Sequence, residues 1–560
     1  MKQQELLPQS LILETRGGVC RGILLAAALF IFLTLPWLIS RPELFRQEGI
    51  FAAIAAEYTD NLWDPYEGIT AKAHNVMLSD AWPLYPAVVS LFYRLMPMES
   101  ALRLVSVLML GVLSLLAGIT AAIRSGKLAG VVAGVFCFST VFTLSNGIWG
   151  GPETMAACFL FAAQLLFFHY GSRYADWNSA WISAAIFLSL GFLTAGPVVI
   201  IFFIFPLVFL RRPLSFAGKF RTPGFLAGVI LLLIVVLAWA LPIGLNWRQY
   251  AGNSGVEMVN VGGLFKDILL FPAKFIFRML PWSLIIWMPF CVALQAISPV
   301  PVFSRYLRTL FFSMLALVWL MPGGSVYRLF FLLAPLAVLL GLNYELGIRR
   351  YSAVIRKVLV CCGVFFPVLI ALILAVTFLP ERFLPALDHP EGYFFRNSKG
   401  YLYLMLSALS ALAVLWGFFS FGNKRFPVWV LIVLLVLGIG VFNAAVHLPY
   451  RMMDRNWRNF GEDVRRVVPP AASEVYKYNI DGMYCGLFYC GIPVKELKSL
   501  SVLDKLGDTV YLISSEVPVY PDRVWTPLLP EGYTCRGVEV SVWRGIRRSD
   551  AEEENSDEQL

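Results

Sequence analysis

Apolar residues in this chain fall in long unbroken runs rather than strict alternation, and short polar connections separate the runs. A membrane-crossing helix needs about 20 mostly apolar residues, and only helices and closed barrels satisfy their backbone in lipid. Continuous runs favour helices over the two-residue repeat of barrel strands. The pattern predicts thirteen spans, at 19–40, 101–123, 128–146, 153–170, 178–194, 197–211, 224–244, 279–297, 306–322, 328–344, 355–379, 400–421 and 426–446. Segments 178–194, 197–211 and 328–344 are short and open to merging or tilting. The first run follows Arg16 and Arg21 as a signal peptide would. No small-residue cleavage site comes after it, and Pro36-Trp37 interrupts the place for one, so it is read as a span. Beyond 446 the pattern changes. Residues 447–548 read as a small α/β domain with strand-like stretches at 510–513 and 538–543, and 549–560 as a disordered acidic tail. The expected architecture is an all-α polytopic membrane domain over 1–446, with interfacial helices in a first outer loop at 41–100, and this α/β domain behind it.

Composition agrees. Hydrophobic residues make up 58% and charged residues 14% of the chain, with a mean hydropathy of +0.71; soluble domains carry about 25% charge. A cytosolic enzyme, a disordered scaffold and a disulfide-stapled secreted module are excluded. The net charge of +9 would suggest nucleic acid in a soluble chain; here it reflects the inside-positive bias of loops, and no nucleic-acid partner is expected. One set of short connections holds Arg124, Lys127, Arg173, Arg211, Arg212, Lys219, Arg221, Arg305, Arg308, Arg349, Arg350, Arg356, Lys357, Lys424 and Arg425, against only Asp176 and Glu345. That set predicts a cytoplasmic N-terminus and an outer C-terminal domain; the compact loops, with no further domain of eukaryotic type, favour a bacterial inner membrane and so a periplasmic placement of that domain. Six cysteines lie in or beside spans as small core residues. Cys485, Cys490 and Cys535 fall in the outer domain, where one disulfide among them is expected. No Cys-x-x-Cys pair, His-Glu-x-x-His motif, phosphate-binding loop or Gly-x-Gly-x-x-Gly fingerprint occurs, and the four histidines are scattered. Asp60, Asp64 and Glu67 lack the spacing and glycine of a calcium loop, so no metal and no cofactor is expected.

Ionisable residues are nearly absent from span centres, where pumps and coupled transporters carry them. Charge gathers instead in loop 41–100, between amphipathic stretches suited to a surface where lipid meets water. Gln47-Glu48-Gly49-Ile50-Phe51-Ala52-Ala53-Ile54-Ala55 and Trp82-Pro83-Leu84-Tyr85 resemble two phrases of the membrane-embedded type-C glycosyltransferases, in the protein-mannosyltransferase and lipid A aminoarabinose-transferase branch. Further phrases match in order. Ser100-Ala-Leu-Arg103 opens span two, and Gly191-Phe-Leu-Thr-Ala-Gly-Pro197 is similar to a Leu-Thr-Lys-Gly-Pro hairpin. Leu280-Pro-Trp-Ser283 opens span eight, and Pro322-Gly-Gly-Ser-Val-Tyr-Arg328 is similar to a Gly-x-x-Arg-Tyr turn. The likeness covers nearly the whole chain. It implies transfer of a sugar from a polyprenyl-phosphate donor to a lipid, glycan or protein acceptor on the outer face, usually with inversion and without a nucleotide.

Such chemistry needs a carboxylate to take the acceptor's proton and cations or polar donors for the leaving phosphate. The resemblance implies Glu48 and Glu153 as the catalytic carboxylates. It implies Gln47, Lys72, His74, Tyr85, Glu257, Tyr327 and Arg328 as substrate-binding residues. The chain departs from the family where an Asp of an Asp-Glu pair is Gln47, where a lysine is Trp82, and where the hairpin lysine is Ala195; Lys72 is the candidate replacement cation. At the start of span four the family's second acid falls on Gly151, with Glu153 two residues later. A flippase of lipid-linked saccharides and a non-catalytic binder of lipid-linked sugar remain as alternatives.

Overall fold

The computed structural model describes residues 16–40, 42–45, 47–60, 82–210, 219–245, 261–298, 300–321, 325–377, 428–443 and most of 457–548. Helices dominate up to 443. They are α1 (Arg16–Ser40), α2 (Glu48–Asp60), α3 (Leu84–Tyr93), α4 (Met98–Ser125), α5 (Lys127–Ser139), α6 (Val141–Asn146) and α7 (Glu153–Phe168). Then follow α8 (Trp177–Ala195), α9 (Pro197–Val208), α10 (Pro223–Leu245), α11 (Val261–Arg278), α12 (Pro301–Leu320), α13 (Phe330–Thr377) and α14 (Val428–Phe442). Among the described residues five helices are long and apolar enough to cross a membrane, or six if one bent pair is counted. The chain is a multi-pass membrane protein.

Local chemistry sets the ends. Gly126 (φ 92°) lets α4 double back into α5, a turn in the left-handed region that a side chain disfavours. Along that hairpin a methyl at Gly130 would meet Ala122 Cβ at 2.7 Å, so small residues allow the backbones to touch. Asp176 caps α8, accepting the N–H groups of Asn178 and Ser179 at 3.1 and 3.2 Å.

Four expected spans differ. The segment 279–297 is not one helix. After α11 the chain bends by 101° into single turns at 282–284, 288–290 and 292–295. Pro281 and Pro289 remove N–H donors that a continuous helix needs. The expected span 128–146 breaks at Thr140, which starts α6 with a reciprocal capping pair to Thr143. The spans 328–344 and 355–379 run together as α13, kinked where Tyr351 leaves helical geometry (φ −118°, ψ 15°). The expected span 400–421 lies outside the described residues.

From 457 the chain forms a mixed sheet. Helices α15 (Trp457–Val467) and α16 (Tyr484–Cys490) accompany β1 (475–478), β2 (494–497), β3 (509–514), β4 (523–527), β5 (533–535) and β6 (538–547). The order is β2-β1-β3-β6-β4, with β5 on β6; β1 runs parallel to β2 and β3, while β6 is antiparallel to β3, β4 and β5. Phe460, Val475, Ile513 and Val542 lie in its own core.

This domain docks on loop one. The Glu43 carboxylate accepts the Trp457 and Arg458 N–H groups at 2.9 and 3.3 Å, capping α15 across the interface. Arg458 pairs with Glu99 at 3.0 Å, Tyr489 donates to Glu99 at 2.9 Å, and the Leu44 N–H donates to the Tyr489 hydroxyl at 3.1 Å. Helices α2 and α16 cross in backbone contact: a Cβ on Gly49 would lie 2.5 Å from the Cys485 nitrogen. Cys485 packs with α2, α3 and α4, whereas Cys490 lies in the sheet core as a free thiol that burial pushes up to about 12. A bond between these two is therefore not formed; the Cys535 side chain lies outside the described residues.

Candidate functional site

The site is built on a buried ion pair. Glu48, at the first turn of α2, and Arg103, in the second turn of α4, are each 1% exposed. Arg103 Nη2 meets Glu48 Oε2 at 2.9 Å and Nε meets Oε1 at 3.2 Å, a two-point pairing that suits the guanidinium fork. The remaining valence of each partner is filled by backbone. Phe45 N–H donates to Oε2 at 2.8 Å and Gly150 N–H to Oε1 at 2.6 Å. Arg103 in turn donates to the carbonyls of Pro42 at 2.7 Å and Glu43 at 2.9 Å, and lies 5.0 Å from the centre of the Trp149 ring. One ion pair thus ties the segment before α2, the start of α4 and the junction before α7.

Upon this base sits a narrow cleft of about 20 Å³, lined by Gln47, Glu48, Asn146, Gly151, Glu153 and Tyr327 among others. Its wall includes Phe45 stacked on Trp149, with ring centres 4.5 Å apart. Four separate segments therefore converge here: the start of α2, the end of α6, the start of α7 and the turn before α13. Gln47 is exposed, and Glu153 and Tyr327 are half-buried.

The residues expected from sequence fare differently. Gln47, Glu48, Glu153 and Tyr327 are brought together. Glu48, expected as a base, accepts four hydrogen bonds with two oxygens, so it has no site left for an acceptor's proton. The Glu153 carboxylate folds back over Gly151, into the space where a side chain on Gly151 would stand. Tyr85 is fully buried beneath the cleft rather than in it. Its hydroxyl donates to the Leu102 carbonyl at 2.9 Å and touches Ser106 Oγ at 3.0 Å, and Ser106 holds both the N–H and the carbonyl of Gly151. Burial holds that phenol well above its usual range. Arg328 follows Tyr327, half-buried, with burial pulling its guanidinium down. Lys72, His74 and Glu257 lie outside the described residues, as do Asp64 and Glu67.

Sequence reasoning missed Arg103 as part of the site and gave Gly150 no role. The available signal was an arginine near the start of an apolar span, which must find a partner. Trp82 and the 195–196 corner, where the resemblance expects two lysines, also meet. The Trp82 ring packs on Phe192 at 5.1 Å and fills the space over Gly196.

Two solved structures share this overall fold. ArnT from Cupriavidus metallidurans in the apo state superposes with a TM-score of 0.64 at 13% identity, over 94% of this chain and 98% of that one. The same protein bound to undecaprenyl phosphate gives 0.66, with the same identity and coverage. The chain shares the fold of that protein. No family model and no curated protein sequence matches the chain; the likeness is one of three-dimensional fold.

Proposed function

We propose that the chain is an integral membrane glycosyltransferase that moves a sugar from a polyprenyl-phosphate donor to a hydroxyl acceptor, with Glu153 as the base. The observation that carries this reading is the position of the Glu153 carboxylate, which occupies the space above Gly151 at the junction where the family resemblance expects an acid. The donor class is supported by the shared fold and by the undecaprenyl phosphate bound to ArnT.

In the proposed reaction Glu153 takes the acceptor's hydroxyl proton as that oxygen attacks the anomeric carbon. The bond from that carbon to the phosphate oxygen breaks on the opposite face, which inverts the centre, and polyprenyl phosphate leaves with the electron pair. Tyr327 and Arg328 stabilise the charge growing on the phosphate, and the Gln47 amide orients a sugar or acceptor hydroxyl. Glu48 with Arg103 positions rather than reacts. A cleft of about 20 Å³ holds little more than a water, so the donor-bound form is wider than this one.

The test is transfer by purified protein in nanodiscs from a panel of radiolabelled polyprenyl-phosphate sugars. Release of free polyprenyl phosphate that disappears in Glu153→Gln is the expected result. Full release by that variant removes Glu153 from the reaction. Saturable donor binding without release by the unmodified protein favours the non-catalytic binder.

A further inference from the structure

A second, larger cavity of about 330 Å³ lies on the other side of α2, between that helix, α3, α15 and α16. Its origin is geometric. Helices α2 and α16 touch at Gly49; beyond it Ile50, Ala53 and Ala56 of α2 line the gap, and the two alanines are too small to fill it. Leu487, Phe488 and Ile492 form the opposite wall. Among the described residues no carboxylate lines the space, and its polar lining comes from Tyr93, Tyr484, Tyr489 and one cation, Arg465, whose Nε donates to the Cys490 carbonyl at 2.8 Å. The rest of that guanidinium has no polar partner among the described residues, and the residue is exposed.

We propose that this cavity binds one acyl chain of an anionic membrane phospholipid, with the lipid phosphate on Arg465. An apolar chamber with a single cation at its edge matches an amphiphile with one anionic group. The neighbourhood is a bilayer surface: α3 and the turn after it present Leu91 and Leu95 outward at 51% and 81% exposure, as in an element lying in the interface. The size is at the low end for ligand sites, which suits one chain rather than a whole lipid. A bound chain fills the wedge and fastens the C-terminal domain to α2, the helix that begins with Glu48. This binding does not depend on sugar transfer.

The experiment uses the full chain in phosphatidylcholine nanodiscs containing phosphatidylglycerol with a photoactivatable group in one acyl chain. Crosslinks are mapped by peptide mass spectrometry. Labelling of 49–56 and 487–492 is expected, lost in Ala53→Trp and about fivefold weaker in Arg465→Gln, in line with one phosphate contact near a membrane. Thermal unfolding in the same discs shows whether Ala53→Trp is folded. Arg465→Gln gives up the bond to the Cys490 carbonyl, so its unfolding is measured in the same discs, and a folded Arg465→Gln protein carries the test if the tryptophan variant does not fold. Labelling that neither variant changes overturns the proposal. So does equal labelling by a neutral phosphatidylcholine probe, or labelling by a polyprenyl-phosphate probe in place of phosphatidylglycerol.

Discussion

At the residue scale, the two acids of the cleft are expected to behave in opposite ways. Glu48→Gln leaves the Arg103 charge buried beside a neutral amide, and breaking such a pair typically costs about 3–5 kcal/mol. A marked drop in unfolding temperature should accompany any loss of activity. Glu153→Gln changes a half-buried side chain outside that pair, so transfer should vanish while the unfolding temperature stays near that of the parent. Gly151 supplies a sharper test. A Cβ there collides with the Glu153 carboxylate, so Gly151→Ala should displace the acid and lower turnover with little loss of stability. The double change Gly151→Asp with Glu153→Ala should recover part of the activity that Glu153→Ala alone loses. Glu48, Glu153, Gln47 and Tyr327 were all legible from the sequence, because each belongs to a phrase of local pattern. Their division of labour was not. It depends on Arg103, which lies 55 residues from Glu48, and on main-chain donors that no residue type announces.

At the element scale, composition decides where helices form but not whether they stay straight. Spans such as α4, α7 and α8 were legible because an apolar run of sufficient length has one solution in lipid. The bend after α11 was not, because Pro281 and Pro289 interrupt a run whose apolar content alone predicts a span. The docking of α15 and α16 was equally hidden, since Glu43, Glu99 and Tyr489 are ordinary polar residues in sequence. Tyr489→Phe deletes one hydroxyl that joins Leu44 and Glu99. It should cost about 1–3 kcal/mol and speed hydrogen exchange in 484–490 before it affects the spans. Asp176 gives a pH test. The Ser179 hydroxyl first, and then the N–H groups of Ser179 and Asn178, hold its carboxyl below the usual carboxylate range. A depressed folded value means stability that is present above the unfolded pKa of about 3.9 and is lost as pH falls through the folded one. Acid unfolding of Asp176→Asn should therefore depend less steeply on pH in that window.

At the scale of the whole molecule, the membrane helices and the C-terminal sheet share one working surface. The segment 42–51 contacts α15 and α16 on one side and the cleft on the other, so the two domains are joined through the residues that shape the site. Removing 457–548 should lower turnover through loss of order in α2, detectable as faster exchange of the 48–60 amides even in membranes without donor. Unchanged exchange would show that α2 holds its place unaided. The ion pair that anchors α2 has a further consequence for how the protein is made. Glu48 leaves the ribosome well before Arg103, so when the second apolar span enters the translocon its counter-ion has already been synthesised. An isolated arginine raises the insertion free energy of a span by about 2.5–3.5 kcal/mol at the helix centre and by less near an end, where Arg103 lies. With Glu48 replaced by a neutral residue, the shortfall should appear first as a lower yield of inserted chain, before any purified molecule is assayed.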